Sequence, residues 1–560
     1  MISKRGVSWV AVLLTLLLFS DVAVAEPAAD LVVLNANVLT ISPSWESAEA
    51  FACLEGRFVE VGTREQVEAW IGRRTEVVDL AGKTVVPGFI DAHMHPGPLF
   101  EESAVHADLD LSPEKTRTMD DVVSRLRWKA SLVPAGTWIV GRGYQDTKLG
   151  RHPSRDDLDR ASTTHPIFIR HSSGHRAVVN SLALDLAGGE TVENPSGGEF
   201  SRDESGRLNG IVLERAMSTV REGGSKRPKP TELEEQTGLR RCFDRFVTNG
   251  ITMVVDAGTT PEKLRRYQAM ERSGQLPLRV YALMRDPYLD ALKSAGIQSG
   301  FGSDFVRLGG IKVFHGNSLS GRTCWLYEPY ADRPNYYGMP PFRSQTAIDD
   351  LIWDIHRSGF QAAVHANGDR EIDMVLEAFE KALERAPQGD HRHRIEHGSV
   401  VNEKILERMK RLGIVYVPHS YVYEHGDKME AYGERRWAWM HANGDALAKG
   451  IPVAGNSDYP VSAAIPMLRV QSLVTRRSAE GKVYGARQCL TPMQALQTFT
   501  LGAAYACFSE EDLGSIEGGK IADFVVLDQD PLMVEATRLS EVSVLSTYVA
   551  GRLIYSDGLE

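Results

Sequence analysis

Phe89-Ile90-Asp91-Ala92-His93-Met94-His95-Pro96 reads as an apolar strand ending in two histidines two positions apart. Side chains at i and i+2 leave the same face of a strand, so His93 and His95 project together. Alone, such a pair also fits a plain structural reading, with one ring packed and one facing solvent. Its company points further. Ala362-Ala363-Val364-His365, Arg394-Ile395-Glu396-His397 and Val453-Ala454-Gly455-Asn456-Ser457-Asp458 are also apolar, strand-like runs that end in a side chain able to bind metal. On a parallel barrel the C-terminal strand ends converge on one rim. Four imidazoles and a carboxylate suit Zn²⁺ and accommodate Mn²⁺, Fe²⁺ or Co²⁺.

Outward from these runs, strand-like and helical patterns alternate. Eight candidate strands fall at residues 85–95, 251–257, 278–284, 306–314, 360–366, 393–398, 413–419 and 451–457. Between two of them, Ile372, Val375, Leu376, Phe379 and Leu383 form an apolar stripe of helical period. This order predicts an α/β protein built on a (β/α)8 TIM-like barrel. Roughly 150 residues separate the first two strands, far more than an ordinary βα connection. They predict an inserted subdomain after the first barrel strand, at 99–240, with strand-like runs at 137–144 and 166–171. The charged run 221–230 reads as an exposed loop. Short strands also crowd both ends of the chain, at 30–38, 50–58 and 75–80 and again at 521–528, 542–548 and 552–555. The economical arrangement is one small β-sandwich made from both termini. The expected parts are thus 26–87 and 481–560 for the terminal helix and sandwich, and 88–480 for the barrel.

The chain has 560 residues, 42% hydrophobic and 24% charged, which excludes disordered and low-complexity classes. A net charge of −11 argues against nucleic acid or an anionic membrane as partner. Five cysteines, none in a CxxC pair, make neither a disulfide framework nor a zinc ribbon. Lys4 and Arg5, the apolar run 7–19 and the small-residue site Ala23-Val24-Ala25 predict a signal peptide, 1–25. The expected address is the periplasm or outside the cell. No later stretch reaches 18 uninterrupted apolar residues, so no membrane partner is expected after cleavage. The expected partner is a small-molecule substrate, with a homo-oligomer possible.

Taken in order, these signals resemble the amidohydrolase superfamily, and within it the third amidohydrolase family, the YtcJ-like group that includes N-substituted formamide deformylases. The strings that carry the resemblance are Val86-Pro87-Gly88-Phe89-Ile90-Asp91-Ala92-His93-Met94-His95, His365-Ala366-Asn367-Gly368-Asp369, Arg394-Ile395-Glu396-His397, Gly455-Asn456-Ser457-Asp458-Tyr459-Pro460 and the tail from Gly514 to Leu527. The resemblance implies a binuclear site, most simply two Zn²⁺. His93 and His95 would hold one ion, and His365 and His397 the other. Lys312, carboxylated on its nitrogen, would bridge them. On residues alone, Lys312 is a long cation on a strand, expected to pair with an acid. The family's Asp-Gly after this lysine is replaced here by Gly316-Asn317, while Lys312 and Arg322 remain in frame. His175, in Gly174-His175 to Asn180, matches a family segment near substrate. Tyr144 and Asp146 stand where the family has Gly-Trp-Asp, and by that resemblance Asp146, with His175 and Arg322, is an expected substrate contact. His391 and His393 are expected at the surface, and His315 beside the bridge has no motif to support it.

The chemistry implied is attack of metal-activated hydroxide on a carbonyl. Asp458 would carry the proton to the leaving amine, and His175 or Arg322 would help hold the oxyanion. This favours hydrolysis of an amide-like, non-peptide C–N bond. The same site also fits an esterase or lactonase, and a non-catalytic periplasmic ligand-binding barrel is the alternative from another class. A dead barrel is expected to lose ligands, whereas His93, His95, Lys312, His365, His397 and Asp458 are all present. Two aromatic loops, around Trp325 to Tyr337 and Tyr421 to Trp439, either pack on each other or line the mouth for an aryl or alkyl group.

Overall fold

The computed structural model describes residues 28–44, 47–222 and 228–558. The expected signal peptide lies outside the described residues, as does the middle of the 221–230 run. That run begins in helix Ala216–Glu222, whose Ala216 and Val220 pack into the core of the insertion.

Seven parallel strands stand side by side in chain order. They are β1 (Phe89–Met94), β2 (Ile251–Thr259), β3 (Arg279–Arg285), β4 (Val306–Phe314), β5 (Gln361–Ala366), β6 (Arg394–His397) and β7 (Val415–Pro418). The expected eighth strand is not a ladder strand. Residues 452–458 touch β7 through the single parallel bridge Tyr416–Val453 and the bond from Ala454 N to Tyr416 O (3.0 Å). They touch β1 through Ala92 N to Gly455 O (3.0 Å) and Asp458 N to His93 O (2.9 Å). The reason for the sparse pairing lies at Thr498 and Phe499. Gly455 N donates to Thr498 O (2.8 Å) and Ile90 N to Phe499 O (2.7 Å), so these two residues wedge between the segment and β1. The result is a nearly closed TIM-like barrel.

The first candidate strand, 85–95, is in fact two. Thr84–Pro87 belongs to another sheet, and the chain crosses into β1 at Gly88. There Gly88 N donates to Asp523 O (2.9 Å), and a Cβ would fall 2.2 Å from Thr252 Oγ1, so only glycine passes so close to β2. Strand 30–38 is likewise broken at Asn35 (φ 53°) into Leu31–Leu34 and Asn37–Leu39. The hairpin at 50–62 turns through Glu55 and Gly56, both at positive φ. One terminal sheet pairs Thr84–Pro87 with Phe524–Leu527 from the far end of the chain, and its hydrophobic cluster also takes in Phe51 and Phe58 of the other terminal sheet.

β5 shows how the barrel is packed. Ala362, Val364 and Ala366 join a cluster with Ile372, Val375, Leu376 and Phe379 of helix Asp369–Arg385, while Ala363 and His365 face the other way. The predicted stripe is thus the buried face of that helix, with Ala382 buried and Leu383 half-buried at its end.

Between β1 and β2 lies a six-stranded sheet in the order Gly198–Arg202, Leu208–Glu214, Arg176–Val179, Ile167–His171, Ile139–Tyr144, Leu109–Asp110. Both strand-like runs of the insertion are in it. The expected end of the insertion, residue 240, falls inside helix Glu232–Val247, whose apolar side (Leu239, Phe243, Phe246) packs with the barrel residues Phe89 and Val254. Among the described residues no helix is long and apolar enough to cross a membrane, and all five cysteines are free.

Candidate metal centre

At the C-terminal rim of the barrel, His93 on β1 and His95 just past its end face Asp458. The His95 Nε2 to Asp458 Oδ1 distance is 3.3 Å, and the His93 Nε2 distance to the same oxygen is 3.7 Å. Ligand atoms of these three residues lie within 4.8 Å of one another. Strand alternation alone would put His397 on the outward face with Ile395. Its φ of 72° breaks the extended backbone and turns the ring in, to 4.6 Å from His93 and 4.5 Å from His365 between ring centroids. Asp458 also sits at positive φ (53°). Two non-glycine residues held in the left-handed region at one rim mark a place where local backbone preference gives way to the site.

Behind the rim, pairing is dense. His93 Nδ1 donates to Glu396 Oε2, which leaves Nε2 with a lone pair toward the rim. Glu396 in turn accepts from Arg394 Nε (2.6 Å) and NH2 (3.0 Å), all three side chains being fully buried. Asp91 accepts from Ser457 Oγ (2.5 Å), Ser457 N and His93 N, tying β1 to the segment that carries Asp458. Burial pushes the Asp91 carboxyl up to about 7 against these bonds. Burial, and then the neighbouring Lys312, push His93 down to about 4 despite Glu396. Burial likewise holds His365 and His397 well below the usual histidine range. Neutral imidazoles keep the lone pair that a metal requires. His397 Nδ1 is buried with no hydrogen-bond partner. The donor set therefore fits a divalent cation.

Lys312 is fully buried on β4, its Nζ 3.5 Å from His93 Nε2 and 4.8 Å from the centre of the Phe314 ring. Burial pushes its amine down to about 8, although Glu396 and Asp458 favour the charged form. His175 reaches the same rim from the inserted sheet, 5.4 Å from the His365 ring. Its Nδ1 pairs with Glu214 Oε2 (2.8 Å), and Glu214 Oε1 accepts from Thr323 Oγ1 (2.5 Å). Burial opposes charge on His175, but Glu214, Asp458 and Glu371 outweigh it and raise its pKa. Glu371, pushed up to about 7 by burial, collects the backbone N–H groups of Asn317, Trp325, Asn367 and Gly368.

Two expected substrate contacts are held by other side chains. Arg322 pairs with Asp332 (2.8 Å) at the half-exposed surface. Asp146 is held by His171 (3.1 Å), His152 (3.3 Å) and Lys428 (3.5 Å), where the insertion meets the loop after β7. His391 and His393 are buried rather than exposed. His393 stacks on Phe379 and accepts from Ala362 N, and His391 bonds Leu412 O, so the bonds of strand and helix ends absorb both rings. The two aromatic loops pack on each other, with Tyr330 and Tyr432 rings 4.9 Å apart in one cluster with Tyr421 and Trp437. His315 is buried with neither ring nitrogen paired. Residue reading missed Glu396, Asp91 and His419. Glu396 and Asp91 were visible as acids inside otherwise apolar strands, and His419 as one more polar end after an apolar run. His419 stacks on His397 at 4.2 Å.

The amidohydrolase family model matches residues 76–555, which takes in every barrel strand and the whole rim. The N-substituted formamide deformylase of Arthrobacter pascens is 29% identical over 545 residues, 94% of this chain and 98% of that protein. Protein LONG AFTER FAR-RED 3 of Arabidopsis thaliana is 30% identical over 552 residues, 94% of this chain and 92% of that protein. The crystal structure of an uncharacterized metal-dependent hydrolase from Pyrococcus horikoshii OT3 matches with a TM-score of 0.71 at 26% identity, over 90% of this chain and 99% of that one. A TIM-like barrel carrying a ring of metal-binding side chains, matched over this span, belongs to the amidohydrolase family, and the chain is a hydrolase of that family.

Proposed function

We propose that the chain hydrolyses a non-peptide C–N bond, amide or formamide-like, in a small molecule, with divalent metal held at the barrel rim. The observation that carries this reading is the cluster of imidazoles around Asp458, with His93 and His397 buried and pushed by burial toward the neutral form. The family's set assigns His93, His95, His365, His397 and Asp458 as ligands of two ions, Zn²⁺ first among them. When bound, such ions polarise a carbonyl oxygen and make water a competent nucleophile near neutral pH.

The chain's own groups supply the rest. Glu396 fixes the tautomer of His93. The amine of Lys312, near 8, has a neutral fraction at physiological pH, and only the neutral amine adds CO₂ to give a carbamate and release a proton. Asp458 takes a proton from water and delivers it to the leaving nitrogen. An amine leaves poorly unless it is protonated, so a carboxylate at this position serves a C–N bond well. His175, whose pKa Glu214 raises against burial, offers an N–H donor to the developing oxyanion. Similarity to a formamide deformylase along nearly the whole chain supports the choice of bond. In this reading the mature chain works in the periplasm or outside the cell, and its two terminal sheets form one small sandwich beside the barrel.

The test is amine release from a panel of N-substituted formamides, N-acyl amides and matched esters by the metal-loaded chain. Turnover of the esters alone would overturn the C–N assignment. Full metal occupancy with no turnover on any compound would favour a binding protein.

A further inference from the structure

His175 enters the rim from the inserted sheet, and the group that aims its ring lies in a loop of the barrel. Glu214 ends the strand Leu208–Glu214 beside His175, with Glu214 N donating to His175 O at 2.9 Å. Its backbone sits in the left-handed region at φ 49°, a costly conformation for a residue with a Cβ. From there the carboxylate spans two partners. Oε2 lies 2.8 Å from His175 Nδ1, and Oε1 accepts from Thr323 Oγ1 at 2.5 Å. With Nδ1 on Glu214, Nε2 is the nitrogen that His175 has left for a substrate.

Thr323 is 1% exposed, in the loop that follows β4. Its hydroxyl has one hydrogen to give. Ser318 N donates to Oγ1 at 3.0 Å, which uses a lone pair and leaves that hydrogen for Glu214. The other acceptor within reach, Ser318 O, stands at 3.5 Å. The turn that carries the hydroxyl is itself closed. Thr323 N and Cys324 N both donate to Ser318 O (3.0 and 3.1 Å), and Gly321 N donates to Ser318 Oγ (2.9 Å). Arg176, the neighbour of His175, donates from NH2 to Gly321 O at 3.1 Å. The peptide that presents Ser318 N also carries Asn317 O, 3.0 Å from His365 Nε2, and the His175 and His365 rings are 5.4 Å apart. One turn of chain thus registers the insertion on the barrel rim. A glutamate side chain has several torsions, and a fixed partner on one oxygen restricts where the other can point.

We infer that Thr323 is a positioning residue that, acting through Glu214, holds the His175 ring toward the metal ligands. The effect on turnover rests on the hydrolase reading above, in which His175 donates to the oxyanion; the placement of the ring does not.

The test uses the full, metal-loaded chain and the N-substituted formamides and N-acyl amides of the panel above. Thr323→Val keeps the shape and removes the hydroxyl. Its kcat is expected to fall about 10–100-fold, the scale of one lost bond to a charged group, with KM within about twofold and metal per chain unchanged. Thr323→Ser should restore most of kcat. In a His175→Ala background, Thr323→Val should add no further loss, since the ring it positions is gone. Crystal structures of wild type and both variants read the placement directly. His175 should leave its wild-type position in Thr323→Val and return to it in Thr323→Ser. An unchanged kcat in Thr323→Val, the same loss in the His175→Ala background, or a His175 ring that keeps its place in the Thr323→Val structure overturns the inference. If wild type cleaves none of these compounds, the C–N reading fails, and the crystal structures alone decide the placement.

Discussion

The two sides of the barrel rim are built differently. On the β1 side, His93, Glu396, Asp91 and Ser457 form a closed chain of hydrogen bonds, and Arg394 leaves only NH1 unpaired. On the β7 side, His397, His419, Ser420, His441 and Asn456 are equally buried, yet each has a polar atom without a partner. An unpaired buried polar group costs about 1–3 kcal/mol, so a fold carries a cluster of them only where water, an ion or a ligand completes the bonding. The paired side is rigid before anything binds. The unpaired side is where binding has something to satisfy.

Removing the one ring that both sides share should do most damage. His93→Ala deletes a ligand and leaves the buried Glu396 with Arg394 alone, and is expected to lose bound metal and nearly all turnover. Full metal occupancy by elemental analysis would remove His93 from the site. Asp458→Asn keeps the shape but cannot carry the proton. Turnover should fall by roughly 10²–10⁴-fold, with metal content falling less than in His93→Ala. Near-normal turnover with metal retained would make His175 the next base to examine.

Glu396→Gln tests the paired side without touching a ligand. Losing the carboxylate that orients His93 should cost about 10–100-fold in metal affinity, measured by competition with a chelator. An unchanged affinity would mean that packing alone holds the ring.

Acid should weaken the metal-free chain. Unfolded histidines titrate near 6.5, whereas folded His93 and His171 are pushed down to about 4, His152 to about 3, and His365, His397 and His419 well below the normal range. Between these values the unfolded state binds more protons, so this stabilisation is present above pH 6.5 and is lost as pH falls toward 4. Asp91 and Glu371, raised to about 7, and His175 act in the opposite sense, but fewer groups are involved. The expected net loss is a few kcal/mol, read from urea midpoints at pH 7.5 and 5, roughly the span of these shifts. A midpoint that rises on acidification would show that the raised carboxyls dominate.

The smallest effect should come from Arg322→Ala. Its partner Asp332 lies outside the ring of ligands, and a half-exposed pair of this kind is worth about 0–1 kcal/mol. Turnover is expected to stay within about twofold; a larger loss would bring the 317–340 loop back into the substrate site.

Much of this was legible from residues because two signals are local. A strand that ends in a polar side chain can be read from composition along a few positions, and that placed β1, β4, β5 and β6 and all of the rim histidines but His419. The stripe from Ile372 to Phe379 is equally local, since helical period is written in spacing. The division of 85–95 was hidden, because it depends on Gly88 meeting Thr252 more than 160 residues later. So was the loss of the eighth strand, where Thr498 and Phe499 take bonds that a ladder would use.

By itself, then, the sequence determined the barrel class, the order of its strands and the chemical character of the rim, since hydrophobic period and donor type belong to short stretches of chain. Only the tertiary structure decided which donors face one another. It turned His397 inward through a backbone angle, paired Asp146 with His171 and Arg322 with Asp332, buried His391 and His393, and set His419 against His397. Those outcomes rest on contacts between residues tens to hundreds of positions apart, where a few tenths of an ångström decide which atom is a partner and which is left waiting.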